Sequence, residues 1–550
     1  MCSVPVTAAD RSQESAAAKP RTFMAWKHKA AATPEKPAKK PAAAPATKAV
    51  TVTAALKPAA RKTRPPRAAV APTVTRVRVE WTTAPVRQVP PGYVAVEWES
   101  AAATPPPAPA AAMAAEAPAP AADGIVLPSQ PAVPGAPAVA AAQPAPRPAP
   151  PKTVQVAVNY RGRVEGADGY AAVRATDDHY YLNRVRLDVS VAATPWLRGF
   201  AQVQDAEVVG YDLAPAPPAT HVNRFDVRQG YVEIGRPGKA GVLARLGRQE
   251  FVFGEQRLMG GGDWNNTARA FDAARVSLFR PGVKVDAFVA TVVTVVPLDL
   301  DGRRTDEFVY GGYAAFDRMV PKGVVEPYVF VKESDAVVSE AGVAGAGRVL
   351  TIGARAAGRI LGGFDYSLEH AWQRGTLSTD TVDALAGAYR LGWTAAGWPM
   401  TPRFVGEFNH ATGDGVAGDG RRQTFDQLYP TNHAKYGIVD VMGWRNMRDL
   451  MAGLEFTPVR RVKVNADLHR LMLATTQDGM YVDSGARRLL NRNALSRDVG
   501  VEFDVQSTVT ITPQFGLSAG FGYLATGDYL TEATGGGGVW FPYVMWNVRF

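Results

Sequence analysis

The residues Trp540-Phe-Pro-Tyr-Val-Met-Trp-Asn-Val-Arg-Phe550 alternate from end to end. Trp540, Val544, Trp546, Val548 and Phe550 fall on one face, and Phe541, Tyr543, Met545, Asn547 and Arg549 on the other. Successive side chains of a strand point to opposite faces, so a period of two with one apolar side predicts a strand set against lipid or a core. The pattern recurs upstream. Val154, Val156, Val158 and Tyr160 oppose Gln155, Asn159, Arg161 and Arg163. Leu350, Ile352 and Ala354 oppose Thr351, Arg355 and Arg359, and Val499, Val501, Phe503 and Val505 oppose Asp498, Glu502, Asp504 and Gln506. A soluble β-sandwich also alternates. Here, however, charges stand in the middle of the polar face, and the apolar face persists for roughly nine to eleven residues, enough to cross a bilayer when tilted.

Between these strands lie eight turn signals: Thr194-Pro195, Arg236-Pro237, Arg280-Pro281, Val320-Pro321, Gly362-Gly363, Thr401-Pro402, Thr457-Pro458 and Thr512-Pro513. Each interval is long enough for a strand up, a longer connection and a strand back. Short turns alternating with long loops predict an all-β, antiparallel transmembrane barrel of 18 strands. The eight turns are expected on the periplasmic side, where proline presets one turn dihedral and avoids a central strand. Three longer connections stand out on the other side: 253–268, 413–447 and 475–497. The closing aromatic Phe550 resembles the C-terminal signal of bacterial outer-membrane proteins. A barrel of this size keeps an aqueous lumen unless something plugs it.

The formal charge of +10 is unevenly placed. Residues 1–152 hold 19 Lys or Arg against 8 Asp or Glu, whereas residues 153–550 hold 42 against 43. The first segment also holds 28 of the 43 prolines, in Ala-Pro runs such as 101–122 and 131–151. It cannot bury enough apolar surface to offset its ordering entropy and reads as a disordered or polyproline-like tail. A patch at 74–99 alternates better and reads as a slightly apolar linker, with a local hairpin or a binding motif as the alternatives. The tail's charges are diluted by Ala and Pro and not interleaved with aromatics, which argues against nucleic acid. A secreted barrel needs a leader, yet residues 1–25 show no apolar run of that kind and Cys2 has no lipobox before it. One cysteine excludes an intrachain disulfide framework.

Two stretches carry a family resemblance. Leu246-Gly-Arg-Gln-Glu-Phe-Val-Phe-Gly-Glu-Gln-Arg-Leu258 with Asp263-Trp-Asn-Asn-Thr-Ala-Arg-Ala-Phe-Asp-Ala-Ala-Arg-Val276 is one. Glu407-Phe-Asn-His-Ala-Thr-Gly-Asp414 with Thr424-Phe-Asp-Gln-Leu-Tyr-Pro-Thr-Asn-His433 is the other. Both resemble the alginate-export family of outer-membrane barrels, over residues 153 to 550. The resemblance implies an eighteen-stranded barrel whose arginine-lined lumen passes an anionic polysaccharide. The long tail departs from the family pattern.

Of the 42 basic residues after 152, 36 are arginine. The planar guanidinium stays charged and grips a carboxylate with two hydrogen bonds. Strand phase points Arg161, Arg163, Arg184, Arg186, Arg198, Arg245, Arg355, Arg359, Arg390 and Arg403 inward, and Arg248 and Arg275 are expected to join them as lumen anion-binding residues. Glu165, Asp188, Glu369, Glu407 and Glu455 are expected to be their acidic partners, with Glu326, Asp365, Asp467, Glu502 and Asp504 also facing in. A one-sided arginine track would concentrate anions; a balanced polar wall would not, and both readings stand at this point.

Seven scattered histidines show no metal-ligand spacing, no Ser-His-Asp arrangement can be named, and the Gly260–Gly262 and Gly535–Gly538 runs open no helix after a strand. No cofactor, metal or enzyme activity is expected. The functional expectation is a passive outer-membrane channel for anionic polysaccharide or oligosaccharide. The alternatives are a general or small-solute porin, and a barrel that anchors the tail for a periplasmic partner. Outer-membrane lipid and anionic carbohydrate are the expected partners.

Overall fold

The computed structural model describes residues 154–169, 177–236, 238 and 240–550. The tail at 1–152, its patch at 74–99, Cys2 and Pro237 lie outside the described residues. Eighteen long strands follow one another: β1 (Val154–Ala167), β2 (Asp178–Thr194), β3 (Leu197–Val209), β4 (Asn223–Gly235), β5 (Gly241–Gln249), β6 (Phe271–Arg280), β7 (Val283–Thr294), β8 (Glu307–Phe316), β9 (Gly323–Val338), β10 (Ala344–Arg359), β11 (Phe364–Leu377), β12 (Asp380–Thr394), β13 (Arg403–Ala411), β14 (Met447–Val459), β15 (Val462–Leu473), β16 (Asp498–Thr510), β17 (Phe515–Thr526) and β18 (Gly538–Arg549). Each pairs antiparallel with the next, and β1 pairs with β18 from Asn159↔Arg549 to Glu165↔Tyr543. The ring is closed. Phe550 completes the seam: its N–H donates to Val158 O (2.9 Å) and its carbonyl accepts from Val158 N (3.1 Å). No helix among the described residues is long and apolar enough to cross a membrane; this chain crosses with strands.

Burial is inverted relative to a water-soluble fold. Val164, Leu246, Ile352, Trp372, Leu450, Leu468, Trp540 and Val544 are exposed on the outside, while Arg161, Arg163, Arg184, Glu407, Asp449 and Glu502 are buried inside. Such an arrangement is stable only if the outer solvent is hydrocarbon, which rules out the sandwich.

Six of the eight expected turns fall between consecutive strands as predicted, and of a seventh, Arg236-Pro237, the described residue Arg236 directly follows β4. Thr512 Oγ1 accepts from Gln514 N and Phe515 N. At 361–363 Gly362 and Gly363 take φ of 75° and 85°, which a side-chain-bearing residue seldom adopts. Thr457-Pro458 is displaced: it sits in a bulge at the end of β14, and the chain reverses at Arg460-Arg461. The expectation of uniformly long outward connections is also corrected. The β9–β10 and β11–β12 links are only 339–343 and 378–379, because the flanking strands are longer.

Candidate functional site

Two outward connections fold back into the barrel. The first, 250–270 between β5 and β6, starts on an aromatic core. Phe251 and Phe253 are buried against Phe288, Tyr313 and Phe330 of β7–β9, with Phe253 stacked on Tyr313 at 4.5 Å. Each buried phenyl is worth about 1.5–3 kcal/mol, so the loop's root is firmly held. Glu255 then reaches Arg355 of β10 (3.0 Å), Ser367 of β11 (2.6 Å) and Arg390 of β12 (3.7 Å), and Arg257 pairs with Glu407 of β13 (2.6 Å). The far end of the same loop lies on β1–β3. Arg161 donates to the carbonyls of Asp263, Trp264 and Asn265, Arg163 to Trp264 O (2.6 Å), and Gln204 to Thr267 O (3.0 Å). In a closed ring of eighteen, β2 and β11 are diametrically opposite, so this loop traverses the lumen.

The second loop, 412–446 between β13 and β14, traverses in another direction. Its Tyr429 donates to Glu307 of β8 (2.7 Å), and its Asp426 takes Lys332 of β9 (3.1 Å). On the other side Val439 N donates to Glu502 (2.8 Å) and Ile438 N to Asp504 (3.1 Å), both on β16. Where the two loops meet, they pair like strands: Tyr429 N to Leu258 O (2.8 Å), Gly260 N to Tyr429 O (2.9 Å) and Thr431 N to Gln256 O (2.9 Å). Phe425, Tyr436, Ile438 and Trp444 of the second loop are fully buried, with Phe425 edge-on to Trp444 at 5.4 Å. A cavity of about 230 Å³ remains beside this loop, lined by Lys332, Arg445, Asp426 and Glu307 among others.

The arginines divide into three groups. Arg161, Arg184 and Arg186 converge on one loop carboxylate, Asp263, at 3.8, 3.0 and 2.8 Å. Arg163 lies over the Trp264 ring (3.8 Å), whose other face stacks on His433 (3.6 Å), and also pairs with Glu165. Burial alone would push the Asp263 carboxyl up, but the surrounding Arg184, Arg186 and Arg161 outweigh it and hold the group well below its usual range. A second group is matched within the wall. Arg198 and Arg245 share Glu233 (2.9 and 2.6 Å), Arg275 takes Asp286 (2.8 Å), and Arg355 adds Glu326 to Glu255. Arg390 takes Glu407, while Arg403 bridges Asp365 (2.6 Å) and Glu455.

The third group is displaced. Arg248 faces outward. It lies three residues after Arg245, so strict alternation sets it on the opposite side; Gln249 is the fully buried residue, and Arg248 pairs with Asp272 at the outer rim (2.9 Å). Arg359 keeps the inward phase but stands exposed at the periplasmic end of β10, with no ion pair among the described residues. Two expected acidic partners also differ. Asp188 accepts from Gln202 opposite it (2.7 Å) and pairs with no arginine among the described residues. Glu369 faces Arg355 in register, but Arg355 turns to Glu326 and Glu255, leaving Glu369 to accept from Tyr328 (3.0 Å).

Sequence periodicity missed Arg228. The register steps from Gln202↔Gln229 to Val203↔Val227, a bulge that turns both Arg228 and Gln229 inward, where Arg228 pairs with Glu250. It also missed the partners Glu233 and Asp286, and Asp449 and His469 on β14–β15, which join the expected inward acids Asp467, Glu502 and Asp504 in one acid-rich wall. The inward phase of these strands was the available signal.

Among solved structures the chain is similar to OpdO of Pseudomonas aeruginosa (9% identity, TM-score 0.49, 72% of this chain and 97% of that one). It is also similar to a BenF-like porin from Pseudomonas fluorescens Pf-5 (8%, 0.49, 72% and 99%) and to OccK11 (OpdR) of Pseudomonas aeruginosa (11%, 0.46, 72% and 96%). At these values the barrel rests on its own strand ladder. No curated protein matches the chain. A family model described as alginate export matches residues 151–537, well over half the sequence, and the chain therefore belongs to the alginate export family of outer-membrane barrels.

Proposed function

We propose that this outer-membrane channel passes anionic polysaccharide or oligosaccharide by passive diffusion, with Arg161, Arg163, Arg184 and Arg186 as its anion-binding track. The observation that carries the reading is the seat of Asp263. Three guanidinium groups on neighbouring strands hold a carboxylate inside the lumen, and a uronate carboxylate has the same shape and charge. The family's description points the same way. The channel is assigned no catalytic role.

A small-solute porin is the second reading. It draws on the matched pairs of Arg198, Arg245, Arg275, Arg355, Arg390 and Arg403, which leave that part of the wall without a strong preference for anions. An anchoring role for residues 1–152 predicts that a chain starting near Lys152 behind a working leader still assembles but loses a periplasmic partner.

Planar-bilayer recording decides between the first two. Saturable block by uronate oligomers supports the first; ohmic flux without preference supports the second. Changing Arg161, Arg163, Arg184 and Arg186 together to Gln shifts the reversal potential toward cations, and the shift shrinks in 1 M salt, where the Debye length is about 3 Å. An unchanged reversal potential means that the acids already neutralise this wall.

A further inference from the structure

The outer surface carries a band of arginines that the inner wall does not need. At the extracellular ends of β10, β11, β14 and β15, Arg348, Arg374, Arg448 and Arg470 all take the outward phase. Arg421, from the loop above, joins them by sharing Asp383 with Arg374 (3.5 and 2.7 Å). Arg348 pairs with Glu333 (3.2 Å) and Arg470 with Asp498 (2.7 Å). Arg448 stands opposite His410 with no ion-pair partner among the described residues. Five arginines thus meet three acids on one flank, and the side chains of Arg348 and Arg374 remain about two-thirds exposed. The outward ends of β3–β6 are different: there Arg224 pairs with Glu207 and Arg248 with Asp272, and a third acid, Asp205, accepts from the backbone N–H of Phe225.

Depth is set by the neighbours on the same face. Ile352, Trp372, Leu450 and Leu468 follow within two to four residues toward the membrane centre, all exposed and apolar. A guanidinium on the lipid face is strongly disfavoured at mid-bilayer and tolerated near the interface, so this band sits at headgroup level. Its planar forks suit phosphate oxygens, which accept two parallel hydrogen bonds each. We infer that the β10–β15 flank binds the phosphorylated headgroup of an outer-leaflet lipid, with Arg374, Arg448 and Arg470 gripping its phosphates.

The test uses the full chain in detergent. Thermal unfolding is followed while a diphosphorylated glucosamine lipid, the same lipid with its phosphates removed, or inorganic phosphate is titrated in. The unfolding temperature should rise with the phosphorylated lipid alone. An equal rise with the dephosphorylated lipid overturns the proposal, because charge is then irrelevant; an equal rise with inorganic phosphate overturns it in favour of a free-phosphate site. The triple change Arg374→Gln, Arg448→Gln and Arg470→Gln should cut co-purified phosphorylated lipid at least fivefold, with folding checked by heat-modifiable gel migration. Undiminished lipid in the folded variant overturns the proposal too. If the variant does not fold, the wild-type titration still decides.

Discussion

Replacing Asp263 with Asn tests whether one carboxylate keeps the β5–β6 loop across the lumen. The change keeps size and shape and removes the charge that faces Arg186, Arg184 and Arg161 at 2.8, 3.0 and 3.8 Å. Removing one member of a buried ion pair costs about 3–5 kcal/mol, much of it from the charges left uncompensated. The Asp263 side chain keeps 28% exposure, and the carbonyls of Asp263, Trp264 and Asn265 still accept from Arg161, so the low end applies, about 3 kcal/mol. At about 1.4 kcal/mol per tenfold, the undocked population of the loop tip rises on the order of a hundredfold. Single-channel recording reads this as more time in a higher-conductance substate, and Asp263→Glu, which keeps the charge, should fall much closer to wild type. Wild-type substate occupancy in a folded Asp263→Asn barrel would refute the reasoning and assign the docking to backbone acceptors alone.

Deleting Met259–Asn265 removes the tip and half of the loop crossing, so single-channel conductance should rise several-fold; an unchanged value would mean that 412–446 alone sets the constriction. Arg403→Met leaves Asp365 and Glu455 without their shared cation and should destabilise the barrel by about 3–5 kcal/mol in denaturant unfolding, whereas Arg359→Gln, at an exposed and unpaired site, should stay within about 0.5 kcal/mol. Acid should loosen the loop tip through Asp263. Its carboxyl is lowered on docking, so its contribution is complete above the ordinary value of 3.8 and declines as pH falls below that. Substate occupancy should therefore be flat from neutral to about pH 4 and rise below it, and Asp263→Asn should lack the acid-dependent rise.

Strand phase was legible because the period of two is a local property: Arg161, Arg163, Arg184 and Arg186 could be placed inside from their own neighbours. Proline and glycine turns were legible for the same reason. What alternation could not carry is anything that breaks or leaves the ladder. Arg228 turns inward only because of a bulge, and Thr457-Pro458 lies in a strand-end bulge rather than at the reversal; Arg248, by contrast, obeys the alternation, which sets it outside from its odd offset to Arg245. The pairing of the loops depends on Met259 and Tyr429, which are 170 residues apart in sequence. The loop's Glu255, Arg257 and Asp263 were visible as charges, but a charged loop reads alike in water or folded inward. Only the opposing wall decides which charge is matched, as Glu369 shows by losing Arg355 to two nearer acids.

The crossed loops also have a mechanical meaning. A thin cylindrical wall resists tension along its strands but ovalises readily under sideways load, because that deformation bends the sheet without breaking its ladder. One loop ties β1–β3 to β10–β13, and the other ties β8–β9 to β16. Joined at their crossing, they act as a pair of spokes that hold two diameters of the ring at fixed length. Lateral pressure from the bilayer would then be borne by the lumen contents as much as by the wall. A barrel with one spoke cut should flatten along that diameter alone.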